Sequence, residues 1–184
     1  MSRMSIPTMQ TAAVETKPLL AAVERQLGTV PNLYRLMSLS PESLGGFLAL
    51  FQALGKGKLP LPTRNRIALA VAEIDKCDYC LSAHTYIGNH LLKLDDAELL
   101  ANREGHSKDP KADAALQFAT RMVNERGGVT AEDVQTVKTA GHSDAEVIEI
   151  VFHVALNTLT NYLNRVADTE IDFPVVRAHE TALT

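Results

Sequence analysis

The chain has 184 residues, 46% of them hydrophobic, enough to bury a substantial core in one domain, expected over residues 1–184 with residues 1–12 as a flexible N-terminal tail. A net charge of −4 at pH 7, without a basic run or a basic patch interleaved with aromatics, argues against nucleic acid as a partner. No apolar run approaches the roughly 20 residues of a membrane span, and the first ten residues lack an apolar signal segment, so a cytoplasmic protein without membrane contact is expected.

Strand-like alternation is nearly absent and apolar residues recur at spacings of three and four, which makes the expected fold class all-α. Pro18 to Leu27 reads as a helix stopped by Gly28, and a short helical piece is expected from Pro31. Ser40 is placed to cap a helix that opens with Pro41 and is released at Gly55-Lys56-Gly57. Thr63 is expected to cap the next helix, which runs through Ile67, Leu69, Val71 and Ile74 and carries Glu73. Another helix follows from Cys80 to Leu92. Asp95 to Arg103, Ala112 to Arg126, Thr130 to Ala140 and Ser143 to Ala167 complete the set, with Ser143 and Glu146 at capping-box spacing. The last helix has apolar residues around its whole circumference, including Ile148, Val151, Phe152, Leu159 and Val166. It is therefore expected to be buried on several sides, in part against a second copy of the chain. Gly-His-Ser recurs at 105–107 and 141–143, which raises the expectation of a repeated helix hairpin.

The two cysteines of the chain both lie in one string, Glu73-x3-Cys77-x2-Cys80-x3-His84. On a helix, Cys77, Cys80 and His84 share a face. A thiolate can attack a peroxide oxygen, become a sulfenic acid and be resolved by a second thiol, and the pair supplies both sulfurs. His84, one turn after Cys80, is a candidate base for the thiol proton, and Glu73 a candidate to orient His84. Asp75 and Asp78 oppose negative charge at Cys77. That balance favours Cys80 as the attacking thiol and Cys77 as its resolving partner, while attack by the first cysteine at an exposed helix start, as in thioredoxin-type sites, stays open.

At these residues the chain resembles the alkylhydroperoxidase D-like proteins of the carboxymuconolactone decarboxylase superfamily, whose shorter redox motif is Glu-x3-Cys-x2-Cys-x3-His. Val30-Pro31-Asn32-Leu33-Tyr34, Leu69-Ala70-Val71-Ala72-Glu73, Leu163-Asn164-Arg165-Val166-Ala167 and Asp172-Phe173-Pro174 extend the likeness over most of the chain. The resemblance implies an alkylhydroperoxidase D-like helical fold assembled as trimers or hexamers. It also implies a peroxidase acting on hydrogen peroxide or small organic hydroperoxides, without metal, haem or flavin, and recycled by a dithiol electron donor such as a lipoylated protein. It assigns peroxide attack to Cys80, disulfide pairing to Cys77 and proton acceptance to His84. The best-characterised members place a relay carboxylate about three helical turns before the first cysteine, where this chain has Asn65, and a histidine between the cysteines, where it has Tyr79. Glu73, about 80° further round a helix from Asn65, is the candidate replacement.

Other readings of the string are weaker. The decarboxylase branch works without a redox cysteine pair, whereas thiol–disulfide exchange without peroxide uses the same two sulfurs. Structural zinc wants four ligands, and Cys77, Cys80 and His84 offer three. His153, Asn157, Asn161 and Asn164 form a polar stripe read as a satisfied seam or subunit contact and left out of the site. Tyr79 and Tyr86 read as packing or rim residues, and His90, His106, His142 and His179 as surface or loop residues.

Overall fold

Capping and proline signals divide the chain into helices much as the sequence suggests. The structure, a computed structural model, describes residues 2–179. Nine helices and no strands occur among the described residues: α1 (Lys17–Leu27), α2 (Asn32–Met37), α3 (Pro41–Gly55), α4 (Leu61–Ile74), α5 (Asp78–His90), α6 (Asp96–Arg103), α7 (Pro110–Asn124), α8 (Ala131–Thr139) and α9 (Asp144–Ala167). Ser40 Oγ accepts the Ser43 N–H, and complete capping boxes open α8 at Thr130 and Asp133 and α9 at Ser143 and Glu146. Thr63 is not a cap. Pro60 takes that position, and Pro62 fits the first turn of α4, where backbone N–H groups have no intrahelical partner to lose. Likewise α5 begins at Asp78, before the expected Cys80, because Cys77 itself caps it.

The middle of the molecule is α4, which packs on α5, α6, α7 and α9. Its stretch from Ile67 to Ala72 is buried on every side, and the alternating alanines let neighbouring helices approach. One apolar cluster joins Ile67 and Val71 to α7, to Val137 of α8 and to Val147, Ile150 and Val154 of α9. A second gathers α1 to α3 against Leu156. The third surrounds Cys77 and Cys80 with Leu69, Tyr79, Leu81 and Leu99, and the C-terminal segment adds Ile171, Phe173 and Val176.

The expected burial of α9 on several sides is half realised. Its polar residues His153, Asn157, Asn161 and Asn164 face inward, while Ile148, Phe152, Leu159, Tyr162 and Val166 remain exposed along the opposite face. The N-terminal segment is docked: the Arg3 N–H donates to the Ala167 carbonyl at 2.6 Å, the Glu170 N–H to Ser2 Oγ at 2.9 Å, and Ala12 is buried. Met1 and residues 180–184 of the expected domain lie outside the described residues.

The Gly-His-Ser recurrence is a shared helix stop. Gly105 and Gly141 both take positive φ, and the His106 and His142 N–H groups reach back five residues, to Ala101 and Val137. The next steps differ. Ser143 caps α9 directly, whereas α7 is capped by Asp109, two residues beyond Ser107. His142 lies in the loop between α8 and α9 but is buried, with its Nε2 in contact with the Lys111 carbonyl at 2.9 Å. No helix among the described residues is long and apolar enough to cross a membrane.

Candidate active site

Cys77 lies between α4 and α5 with extended backbone, and its Sγ accepts the Cys80 N–H at 3.3 Å as the helix cap. This position puts the sulfur among the unpaired amides and positive dipole end of α5, which favour a negative charge. Cys80, one turn in, faces it across 2.6 Å between sulfurs, so disulfide formation needs no backbone rearrangement. No disulfide joins them, and both are buried, at 1% and 4% exposure.

The two thiols are driven apart electrostatically. Hydrogen bonding from Cys80 brings the Cys77 thiol below its usual range, against burial and the charges of Asp75 and Asp78. Burial, then the Cys77 contact, drives Cys80 far up, although Asn164 Nδ2 donates to its sulfur at 3.3 Å. Of the two thiols Cys77 is therefore the easier to ionise, which favours the thioredoxin-type order that the sequence leaves open. Cys77 also lines a cleft of about 530 Å³ between α9, the start of α5 and the C-terminal segment.

His84 does not meet Glu73. Its Nδ1 is 2.9 Å from Asn65 Oδ1, and Asn65 Nδ2 donates to the His84 carbonyl at 3.2 Å. A carbonyl can only accept, so the second bond fixes the amide orientation and makes His84 Nδ1 the proton donor. Burial lowers the ring to about 4. At neutral pH His84 is therefore an uncharged imidazole with Nε2 available as a base. Gly88 makes room for this arrangement: a Cβ there would lie 2.5 Å from Leu99 Cδ2 and 3.3 Å from Asn65 Nδ2.

Glu73 has a different task. It accepts from Arg103 Nε at 2.8 Å and from the His179 N–H at 2.7 Å. Asp78 holds the Ala178 N–H and the Arg177 guanidinium, Ser82 Oγ accepts from the Val176 N–H, and Arg103 Nη2 donates to the Arg177 carbonyl. Glu73, Asp78 and Ser82 therefore fasten residues 176–179 across the thiol motif. The helical rotation between Asn65 and Glu73 carries the Glu73 carboxylate away from the imidazole.

Two groups set aside in the sequence reading belong at the site. Asn164 touches Cys80, and Asn161 Nδ2 donates to Asp75 Oδ2 at 2.9 Å, so the C-terminal half of the α9 stripe faces the thiols. Burial raises the Asp75 carboxyl, opposed by Asn161 and the charge of Arg165. The periodicity of the stripe was the available signal. Tyr79 is a packing residue, one of the two readings of it from sequence: it is buried, accepts the Leu33 N–H at 3.1 Å and stacks edge-on against Phe173. The Asn32 N–H donates to Asp172 at 2.8 Å, which draws two segments 140 residues apart together beside α5. Among the described residues no group of three or more His, Cys, Asp or Glu side chains is placed to hold a metal ion.

Residues 41–121, which contain the whole thiol motif, match the sequence pattern of the carboxymuconolactone decarboxylase family. This segment carries that family's signature. No curated protein matches the chain at a significant level. Among solved structures, an uncharacterized peroxidase-related protein with an alkylhydroperoxidase AhpD core, from Ralstonia eutropha JMP134, superposes with a TM-score of 0.83 at 22% identity, covering 93% of this chain and 92% of its own. A peroxidase-related protein from Silicibacter sp. TM1040 gives 0.80 at 24% identity, over 92% and 91%. The debrominase Bmp8, in complex with 2,3,4-tribromopyrrole, gives 0.75 at 23% identity, over 94% of each chain. The fold of this chain is the AhpD-like helical core.

Proposed function

We propose that this protein is a dithiol peroxidase that reduces hydrogen peroxide or small organic hydroperoxides through a Cys77–Cys80 disulfide cycle. The observation that carries the reading is a facing sulfur pair, 2.6 Å apart, with one member capping a helix at the wall of a cleft. The Cys77 thiolate attacks the terminal oxygen of the hydroperoxide. The O–O bond breaks, Cys77 becomes a sulfenic acid, and the alkoxide takes a proton from water in the open cleft. Cys80 then gives its proton to His84 Nε2, and its sulfur attacks the Cys77 sulfur. The departing hydroxide recovers the proton from His84 as water. A dithiol donor, of which a lipoylated protein is the expected example, returns two electrons and two protons by thiol exchange.

A reducing cytoplasmic compartment suits that cycle. The exposed apolar face of α9 is assigned to contact with a second copy, in keeping with the trimer or hexamer expected from the resemblance. Its check is solution mass: an oligomer for the native chain and a smaller species for Phe152→Glu with Leu159→Glu.

The functional test is a thiol count and intact mass before and after cumene hydroperoxide. Loss of both thiols with a two-hydrogen mass decrease supports peroxidase chemistry. Unchanged thiols in folded protein would return the pair to disulfide exchange, and parallel incubation with 2,3,4-tribromopyrrole checks whether the thiols reduce a carbon–bromine bond instead.

A further inference from the structure

The cleft over Cys77 has a charge balance opposite to that of the chain. Its lining includes Arg3, Lys76, Arg165 and Arg177 against Asp78 and Asp168, in a protein of net charge −4. Three of the cations are engaged: Arg3 Nη1 donates to the Arg165 and Val166 carbonyls, Lys76 Nζ to the His179 carbonyl, and Arg177 pairs with Asp78 at 2.7 Å. Arg165 is exposed at the rim and has no side-chain partner among the described residues. Deeper in, Asn164 and Thr169 line the same cleft at 2% and 6% exposure, and Asn164 Oδ1 and Thr169 Oγ1 are buried without a hydrogen-bond partner. Buried polar atoms left open at the wall of a cleft call for a polar ligand.

We infer that the cleft takes an organic hydroperoxide bearing a carboxylate, with Arg165 as the specificity-determining residue. The inference rests on the peroxidase reading for the reactive end and on the cleft for the anionic end. The peroxide group enters beside Cys77, and a turn of the Asn164 and Thr169 side chains towards the cleft lets Asn164 Oδ1 accept its O–H hydrogen and the Thr169 hydroxyl donate to the oxygen next to carbon. Tyr79 and Ile171 contact the hydrocarbon body, and the carboxylate reaches Arg165 at the mouth. The volume of about 530 Å³ lies within the range of small-molecule sites, about 300–1,000 Å³. A free guanidinium binds a carboxylate through paired N–H donors and gains nothing from an uncharged hydrocarbon end.

The test separates binding from turnover with a matched pair, cumene hydroperoxide and its para-carboxylate, together with the two product alcohols. In calorimetry on the reduced full chain, the carboxylated alcohol is expected to bind about fivefold more tightly than the neutral alcohol, as for an exposed ion pair. Arg165→Gln brings that ratio to about one, and Arg165→Glu inverts it. With hydroperoxides, the kcat/KM ratio follows the same pattern. Equal affinity for the two alcohols, or a preference that survives both substitutions, overturns the inference. Carboxylate-dependent binding without any peroxide turnover supports the cleft assignment and rejects the peroxidase reading.

Discussion

The Glu98 carboxylate and the sulfur pair of Cys77 and Cys80 are both buried near α4, and the chain surrounds them differently. Glu98 accepts from Arg66 Nε, Asn102 Nδ2, Ser107 Oγ and the Lys108 N–H at 2.6–3.0 Å. Burial alone would raise its pKa, yet these bonds outweigh it and hold the carboxyl at about 2. Beside Glu98 only Asn102 Oδ1 is left open among the described residues, away from the cleft, whereas around the thiols Asn164 Oδ1 and Thr169 Oγ1 are left without partners at the cleft wall, and Cys77 ionises more easily than Cys80. A buried group with its hydrogen bonds filled locks helices together. One with open valences beside a cleft is held ready for something that is not part of the chain.

Glu98→Ala should produce the largest loss of stability, about 3–5 kcal/mol, because it leaves Arg66 buried without its counter-ion. Chemical denaturation would measure it, and a loss below about 1 kcal/mol would erase the distinction between the two regions. Of similar size is the acid response of His84 and His153, both lowered by burial from the ordinary 6.5 to about 4. Each binds more protons when unfolded between those values. Stability is therefore full above pH 6.5 and falls as pH drops towards 4, by up to about 3 kcal/mol per histidine. Denaturation midpoints across that window should fall steadily, and a flat profile would mean that the rings are protonated in the folded state.

A smaller effect sharpens the roles within the site. Asn65→Leu removes the acceptor that fixes the His84 tautomer and should slow disulfide formation about tenfold, with little change in helix content. Rapid-quench alkylation of the remaining thiols with a mass readout would follow it. Smallest is Glu73→Gln, which loosens the C-terminal segment by about 1–2 kcal/mol and leaves the oxidation rate near that of the native chain. A tenfold rate loss in this variant would reinstate Glu73 as the relay carboxylate.

Much of the fold was legible because its signals are local. Ser40, Asp95, Thr130 and Ser143 mark helix starts through their own side-chain bonds, and Gly28, Gly105 and Gly141 mark stops through positive φ. The thiol pair was equally plain, since Cys77 and Cys80 lie one turn apart. Partners distant in sequence were not. Glu73 finds Arg103 thirty residues on and the segment at His179, and no spacing rule announces either. Asn65 could have been found, because it occupies the position where the resemblance places a relay carboxylate. The α9 stripe was legible as a polar seam but not as part of the site, because its contacts with Asp75 and Cys80 span more than eighty residues of sequence, while the apolar face of the helix points outward.

The most direct measurement of the central claim is sulfenic-acid trapping with dimedone and peptide mass mapping, on the single Cys→Ser variants after one equivalent of cumene hydroperoxide. A thiolate held at the α5 cap predicts rapid labelling of Cys77 in Cys80→Ser and little labelling of Cys80 in Cys77→Ser. The reverse pattern, or no labelling in either folded variant, would contradict the assignment of the reactive sulfur to Cys77.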